Sequence, residues 1–251
     1  MFERRLLSIL FLVAAVLFSA GTAAAQQSRC ADCHFGSMNA PGHLNEWDRS
    51  AHGRNNVGCE KCHGGDATTF ELLQAHRGII NSRNPSSPVN RRNLPQTCGA
   101  CHVGQFVEFQ KSKHYELLRG GNDEGPSCAT CHGEVAANLP SAKGLSSQCA
   151  KCHGAGRTTP HPEFPTQARE HLEMILDVQA MLDQARPLIR RIKDAPLRAR
   201  LQEEYNQAEV PLKEAIHAGH SFTFEKLEER HRVAQDRAEA LLEKIANPAV
   251  R

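Results

Sequence analysis

Hydrophobic positions divide the chain into three stretches with different patterns. The first contains an apolar run over residues 6–20, with two arginines before it and Ala23-Ala24-Ala25 after it. This order is typical of a secretory signal peptide, and the run is short for a membrane-spanning helix of about 20 residues. We therefore predict a signal peptide over 1–25 and export to the periplasm, with an outer-membrane or extracellular location as alternatives. An uncleaved N-terminal anchor is the alternative to cleavage.

The last stretch, residues 162–251, has the periodicity of amphipathic helices, and we predict three of them over 166–193, 197–216 and 223–245. Such helices form an antiparallel hairpin or three-helix segment that covers the rest of the molecule or makes a homodimer contact. Pro187 and Pro211 fall within this pattern and predict kinks or breaks. The apolar stripe of the third helix follows steps of four and three residues and consists of Leu227, His231, Ala234, Ala238, Leu241 and Ile245.

The middle stretch, residues 26–161, shows neither pattern. It is rich in Gly, Pro and Asn, and aromatic residues make up only 5% of the whole chain, against 10 cysteines and 14 histidines. Loops of this kind cannot offset the entropy lost on folding by burying their own side chains. We therefore predict that a bound group supplies part of the core. The formal charge of +2 gives no reason to expect a nucleic acid partner.

Every cysteine belongs to one of five copies of Cys-x-x-Cys-His, the attachment signature of c-type haem. The two thiols reach the two vinyl groups on one porphyrin edge, and the histidine that follows ligates the iron. Disulfides and zinc are the alternatives, but zinc needs no histidine directly after each cysteine pair. The sequence therefore predicts five covalent c-type haems. Their cysteines are Cys30, Cys33, Cys59, Cys62, Cys98, Cys101, Cys128, Cys131, Cys149 and Cys152, and their proximal histidines are His34, His63, His102, His132 and His153.

Each of these irons has one further axial position. Nine histidines lie outside the motifs, and of the mature chain's methionines only Met38 lies among them, so we predict two histidines on every iron. Such ligation leaves an iron able to change its oxidation state but not to bind substrate, and it favours lower potentials than methionine ligation does. The candidate distal ligands interleaved with the motifs are His43, His52, His76, His114 and His161.

Two of these candidates lie in an internal repeat. The segment 30–66 returns as 98–135, and both copies carry Glu-aromatic-x-x-Ser-x-His, which ends at His52 in the first and at His114 in the second. The spacing is less than two helical turns and places the aromatic ring and the histidine on neighbouring faces, where the ring can pack on a haem edge. The repeat indicates a duplicated two-haem unit.

These motifs, with the stretch His76-Arg-Gly-Ile-Ile, resemble multihaem cytochromes c over roughly residues 30–161. The nearest class is that of the tetrahaem electron acceptor of hydroxylamine oxidoreductase and the pentahaem nitrite reductases. The resemblance implies a mainly α fold with much irregular loop, organised around five haems stacked in parallel and perpendicular pairs, and a chain of electron transfer. The nitrite reductases commonly bind their active haem through Cys-x-x-Cys-Lys, whereas all five motifs here end in histidine.

Three histidines of the tail lie at one end of the predicted helices, next to the last motif, if the helices run up, down and up. They are His171, His217 and His220. We expect a structural role, ligation of the iron bound at Cys149 and Cys152 in place of His161, or proton donation to a substrate at an open axial position. His231 lies on the apolar stripe and is expected to be a packed helix residue.

Three functions are compatible with these features. The first is a periplasmic electron carrier of a respiratory, anaerobic pathway, which exchanges electrons with redox partner proteins and has no catalytic residue. The second is a small reductase or oxidase of nitrogen or sulfur oxyanions with one five-coordinate haem. The third is a haem-based sensor or structural subunit that docks through its helical tail.

Overall fold

The computed structural model describes residues 28–36, 42–135, 140–154, 156, 159, 161–224 and 227–247. The predicted signal peptide over 1–25 lies outside these residues. The described part of the chain is built from helices, turns and irregular segments without a strand, which confirms the mainly α class. Within the same ranges, no helix combines the length and the apolar character needed to cross a bilayer.

The region up to residue 153 contains short helices separated by turns. The longest has 12 residues. Serine or acidic side chains begin several of them by accepting a hydrogen bond from the first turn, as Ser141 does from the Gly144 amide at 3.0 Å. These helices are α1 (Arg29–Phe35), α2 (Leu44–Arg49), α3 (Ala51–Arg54), α4 (Glu60–His63), α5 (Leu72–Ala75), α6 (Leu94–Gly99), α7 (Val103–Phe109), α8 (Lys113–Arg119), α9 (Cys128–His132) and α10 (Ala142–His153).

Three long helices form a bundle at the C-terminal end: α11 (Phe164–Arg191), α12 (Ala195–Ala218) and α13 (Glu228–Ala246). A 3₁₀ turn, Gly219–Ser221, follows α12 directly. All three helices pack on one another, and the stripe predicted for the third, from Leu227 to Ile245, is buried. The prediction of three amphipathic helices is confirmed, with boundaries that differ by one to five residues.

Neither proline breaks its helix, because Pro187 and Pro211 both lie inside continuous helices, whereas kinks or breaks were predicted there. A proline in a helix leaves the carbonyl four residues earlier without its usual donor. For Pro211 that carbonyl belongs to Gln207, and the guanidinium of Arg237 on α13 donates to it at 3.2 Å. Tertiary packing thus supplies the hydrogen bond that the sequence pattern lacks.

The most extensive contacts between the described helices of the bundle and those of the region before it involve α10 and α7. Helix α10 packs along α11, and α7 packs against the end of α12 and the 3₁₀ turn. The start of α11, the end of α12 and the 3₁₀ turn therefore lie close to the last motifs.

Candidate haem sites

Each Cys-x-x-Cys-His motif lies in, or next to, one turn of helix. In α1 and α9 the whole motif is helical, and in α10 it ends the helix. A helical turn brings residues three apart to the same side, so the two thiols of a motif face one edge of a common ligand. None of the ten cysteines forms a disulfide. Among the described residues, no group of three or more Cys, His, Asp and Glu side chains is arranged to hold a bare metal ion.

Each motif histidine faces a different second histidine across a gap of about 6 Å. The ring centres are 5.9 to 6.2 Å apart in all five cases. The pairs are His34 with His76, His63 with His43, His102 with His52, His153 with His114, and His132 with His220.

This separation fits an iron between the two rings. A histidine nitrogen binds a transition metal at about 2.0–2.1 Å, and the ring centre lies about 1 Å behind it, so two imidazoles on opposite sides of one iron have centres roughly 6 Å apart. Two of the pairs are nearly parallel, at 7° and 10°, yet their centres are 6.0 and 6.2 Å apart. By contrast, the parallel rings of His161 and Phe164 stack with their centres 4.4 Å apart.

Hydrogen bonds at Nδ1 orient three of the facing rings. Nδ1 of His52 donates to the Val135 carbonyl at 3.1 Å, that of His76 to the Leu72 carbonyl at 2.8 Å, and that of His220 to the Ile216 carbonyl at 2.9 Å. A proton fixed at Nδ1 leaves the lone pair of Nε2 free for a metal, the arrangement usual for ligating histidines. The fit between these side chains and a haem iron therefore extends beyond the ring distances.

Burial keeps several of these imidazoles neutral, as ligation requires. It lowers the pKa of His114 to about 4, with a smaller contribution from neighbouring His153. Burial is also the main cause of the lowered pKa values of His63, His132 and His220. At neutral pH these side chains present a lone pair rather than a second N–H.

The repeated Ser-x-His element has a local function that the sequence analysis missed. Ser50 and Ser112 are the N-caps of α3 and α8, and their hydroxyls accept hydrogen bonds from the amides of Gly53 and Tyr115 at 3.1 Å. The histidine two residues later is therefore the second residue of its helix in both copies. The signal was present, because serine is a favoured N-cap.

The structure does not bring His161 to a motif histidine among these ring pairs. Its ring stacks on Phe164, and its Nδ1 lies 2.9 Å from the Glu163 carboxylate. The partner of His153, which was expected to be His161 or a tail histidine, is instead His114. A tail histidine does face a motif, but it is His220 opposite His132.

The other tail histidines have different surroundings. The rings of His171 and His231 are buried and contact each other with centres 4.5 Å apart, which is too close for an iron between them. The ring of His217 lies against Gly104 of α7. The packed role expected for His231 is confirmed by its burial.

Thiols of successive motifs are neighbours. The sulfurs of Cys98 and Cys128 lie within hydrogen-bonding reach of each other, so the third and fourth motifs are adjacent. Cys59 likewise lies near Cys30, Cys62 near Cys98, and Cys149 near Cys131. The attachment points therefore follow one another in space as they do along the chain.

Known proteins resemble separate parts of this chain. The family "Cytochrome c554 and c-prime" matches residues 15–64, and the family "Cytochrome c7 and related cytochrome c" matches residues 84–154. The C-type polyheme cytochrome OmcC of Geobacter sulfurreducens is 23% identical over 154 residues, which cover 58% of this chain and 19% of that protein. The chain thus spans about a fifth of the length of this relative. No solved structure matches the chain significantly.

Proposed function

We propose that the chain is a multihaem c-type cytochrome, which its similarity to cytochrome c families supports, and that it transfers electrons along five covalent c-type haems, each held between two histidines. The observation that carries this proposal is the pairing of every motif histidine with a different second histidine at about 6 Å. Each bound haem supplies one iron that can accept and release an electron. The protein supplies the thiols, the axial nitrogens and the spacing.

The proposal assigns one proximal and one distal ligand to each haem, numbered by motif along the chain. His220 takes the place that the sequence analysis gave to His161, because His220 faces His132 whereas His161 stacks on Phe164. Residues 26–161 then carry the attachment sites, and residues 162–251 supply one ligand. The distal ligands of haems one to five are His76, His43, His52, His220 and His114.

Closed axial positions favour electron transfer over catalysis. Among the described residues, each of the five motif histidines has a facing imidazole, so no iron is left open to a substrate. This supports the carrier over a reductase or oxidase with one five-coordinate haem. The neighbouring thiols of successive motifs support a path that runs from haem one to haem five in chain order.

We also propose a periplasmic location and a respiratory role with redox proteins as donor and acceptor. Export is supported by the N-terminal apolar run, which two arginines precede and Ala23-Ala24-Ala25 follows. A homodimer through the helical tail remains a prediction.

The haem count is tested on the purified holoprotein. Intact mass and the pyridine haemochrome should both give five covalent haems per chain. A smaller number by both methods would refute the count.

The ligand assignment is tested by replacing one distal histidine at a time with methionine. His76→Met, His43→Met, His52→Met, His220→Met and His114→Met should each raise the midpoint potential of one haem, because methionine ligation raises the potential of a haem iron. His161→Met is the matched control and should leave the redox titration unchanged. A changed titration in His161→Met together with an unchanged one in His220→Met would reverse the assignment of haem four.

A further inference from the structure

The end of α12, which leads to His220, is held by two contacts between a histidine and a glycine. On one side, His171 of α11 lies against Gly219, the residue before His220. On the other side, His217 of α12 lies against Gly104 of α7. The four residues come from three helices and one turn, and two of them, His217 and Gly219, lie within three positions of His220.

Residue 219 has to be glycine because there is no room for a side chain, and not because its backbone conformation demands glycine. Its φ of −54° and ψ of −28° are ordinary helical values that any residue adopts. A Cβ at this position would overlap Nε2 of His171 and would lie 3.3 Å from its Cδ2. Any side chain at residue 219 would therefore displace the His171 ring or the turn that carries His220.

Gly104 of α7 is likewise a position where the ring of His217 leaves no space for a side chain. It is the second residue of α7. A Cβ there would lie 2.5 Å from Nδ1 of His217 and 2.6 Å from its Cε1. The close approach of α12 to α7 thus depends on the missing side chain, and Gly104 follows the ligand of haem three, His102, by two residues.

Two further ring contacts hold the His171 side chain in place. Its ring contacts that of His231 on α13, with centres 4.5 Å apart, and that of Phe224 edge-on at 6.1 Å. It is buried, and its Nδ1 has no hydrogen-bond partner among the described residues. The His171 ring is therefore held by its bundle neighbours in a position where it contacts the turn that carries His220.

We propose that these two contacts form a clamp that positions His220 opposite His132, with His171 and His217 as positioning residues. The helical tail, residues 162–251, then controls the ligation of haem four, although the attachment sites all lie in residues 26–161, the haem region. This inference rests on the proposed function, because it takes His220 as the distal ligand of that haem.

The test adds a methyl group at each contact. Gly219→Ala and Gly104→Ala should each weaken or break the bond from His220 to one iron, seen as a partial or complete loss of one of the five low-spin signals in the EPR spectrum of the ferric holoprotein. The signal lost in His220→Ala identifies haem four. Gly42→Ala is the matched control: Gly42 also precedes a distal histidine, His43, but a Cβ there would meet nothing within 4 Å. It should leave all five signals unchanged.

A compensating change separates positioning from general damage. In Gly219→Ala/His171→Ala the space lost to the new methyl group is returned, so the signal of haem four should recover relative to Gly219→Ala alone. If Gly219→Ala yields no folded protein, His171→Ala and His217→Ala are measured instead, and each should shift the signal and midpoint potential of haem four alone.

The outcomes are distinguishable from a failure of the proposed function. If His220→Ala leaves all five signals intact, the ligand assignment fails and the clamp with it. If His220→Ala removes one signal while folded Gly219→Ala and Gly104→Ala keep it unchanged, the ligand stands and the clamp is refuted. Wild-type spectra in both His171→Ala and His217→Ala would refute it as well.

Discussion

The haem region and the helical bundle differ in how many apolar side chains they bury. Among the described residues and leaving prolines aside, 17 buried apolar side chains lie between Ala168 and Ile245, whereas the longer part before residue 164 has four, namely Ala31, Leu44, Phe109 and Leu118. The haem region instead exposes large apolar side chains. These are Phe35, Phe70, Leu72, Leu73, Ile79, Val103 and Val107.

The difference shows what each region requires in order to fold. Ordering a residue costs about 1–2 kcal/mol of backbone entropy, which the bundle offsets by burying leucine, isoleucine and alanine between its helices. The haem region has short helices and few such contacts, so the faces of five porphyrins have to supply its apolar interior. We therefore expect the bundle to be stable by itself and the haem region to depend on its cofactors.

The largest expected effect is the loss of the haem region when haem is withheld. A chain with all ten cysteines changed to serine should keep the helicity of α11, α12 and α13, which have 28, 24 and 19 residues, and lose that of α1 to α10. Far-UV circular dichroism and limited proteolysis measure this. Wild-type helicity in the haem-free chain would contradict the comparison.

The next largest effect is the loss of stability caused by a cavity in the bundle. Leu182 is fully buried, so Leu182→Ala should lower the free energy of unfolding of the bundle by about 2–5 kcal/mol while the haem spectra stay unchanged in folded protein. Leu176→Ala on the same helix is the control, because Leu176 is 48% exposed. Equal losses for the two variants in urea unfolding would show that the bundle lacks the packed core described here.

Acid should destabilise the bundle through His171. Burial, with smaller contributions from His231 and His220, lowers the pKa of His171 from 6.5 to about 3. The unfolded chain therefore binds a proton that the folded chain does not, and the free energy of unfolding falls as the pH drops from about 6.5 towards 3, by up to about 1.4 kcal/mol per pH unit. Urea unfolding at a series of pH values measures this slope, and His171→Phe should flatten it. An equal slope in His171→Phe would assign the effect to other groups.

A smaller effect is expected at the edge of the bundle. The Tyr205 hydroxyl accepts a hydrogen bond from Arg186 at 2.6 Å and donates one to Glu209 at 3.1 Å. Tyr205→Phe removes both and should cost about 1 kcal/mol, because these partners are partly exposed and regain water. Thermal unfolding followed by circular dichroism measures it, with Tyr115→Phe in the haem region as the control that leaves the bundle transition in place.

Much of both regions could be predicted from sequence because the signals are local. The steps of four and three from Leu227 to Ile245 gave the buried face of α13, and the Cys-x-x-Cys-His spacing predicts haem attachment without any knowledge of the fold. The four interleaved histidines at 43, 52, 76 and 114 each face a motif histidine, but their partners could not be read from sequence order. His76, for example, lies after the second motif and faces the first.

The remaining features depend on contacts between distant parts of the chain. His220 lies 88 positions after His132, and packing between distant parts of the chain, including the docking of α12 on α7, brings them together. His161 follows the last motif closely, yet its backbone has a φ of +73° and its ring turns to Phe164. The continuity of α12 through Pro211 depends on Arg237 from another helix. No local pattern contains this information.

Low-temperature EPR with near-infrared magnetic circular dichroism of the ferric holoprotein shows whether two histidines ligate every iron. We expect only low-spin, bis-histidine haems in two classes, because the ring planes are nearly parallel in two pairs, at 7° and 10°, and inclined by 52–67° in three. Inclined planes split the iron orbitals less and move the low-field g value upward. A high-spin ferric signal that shifts on addition of nitrite or cyanide would reveal an open axial position and refute ligation of every iron by two histidines.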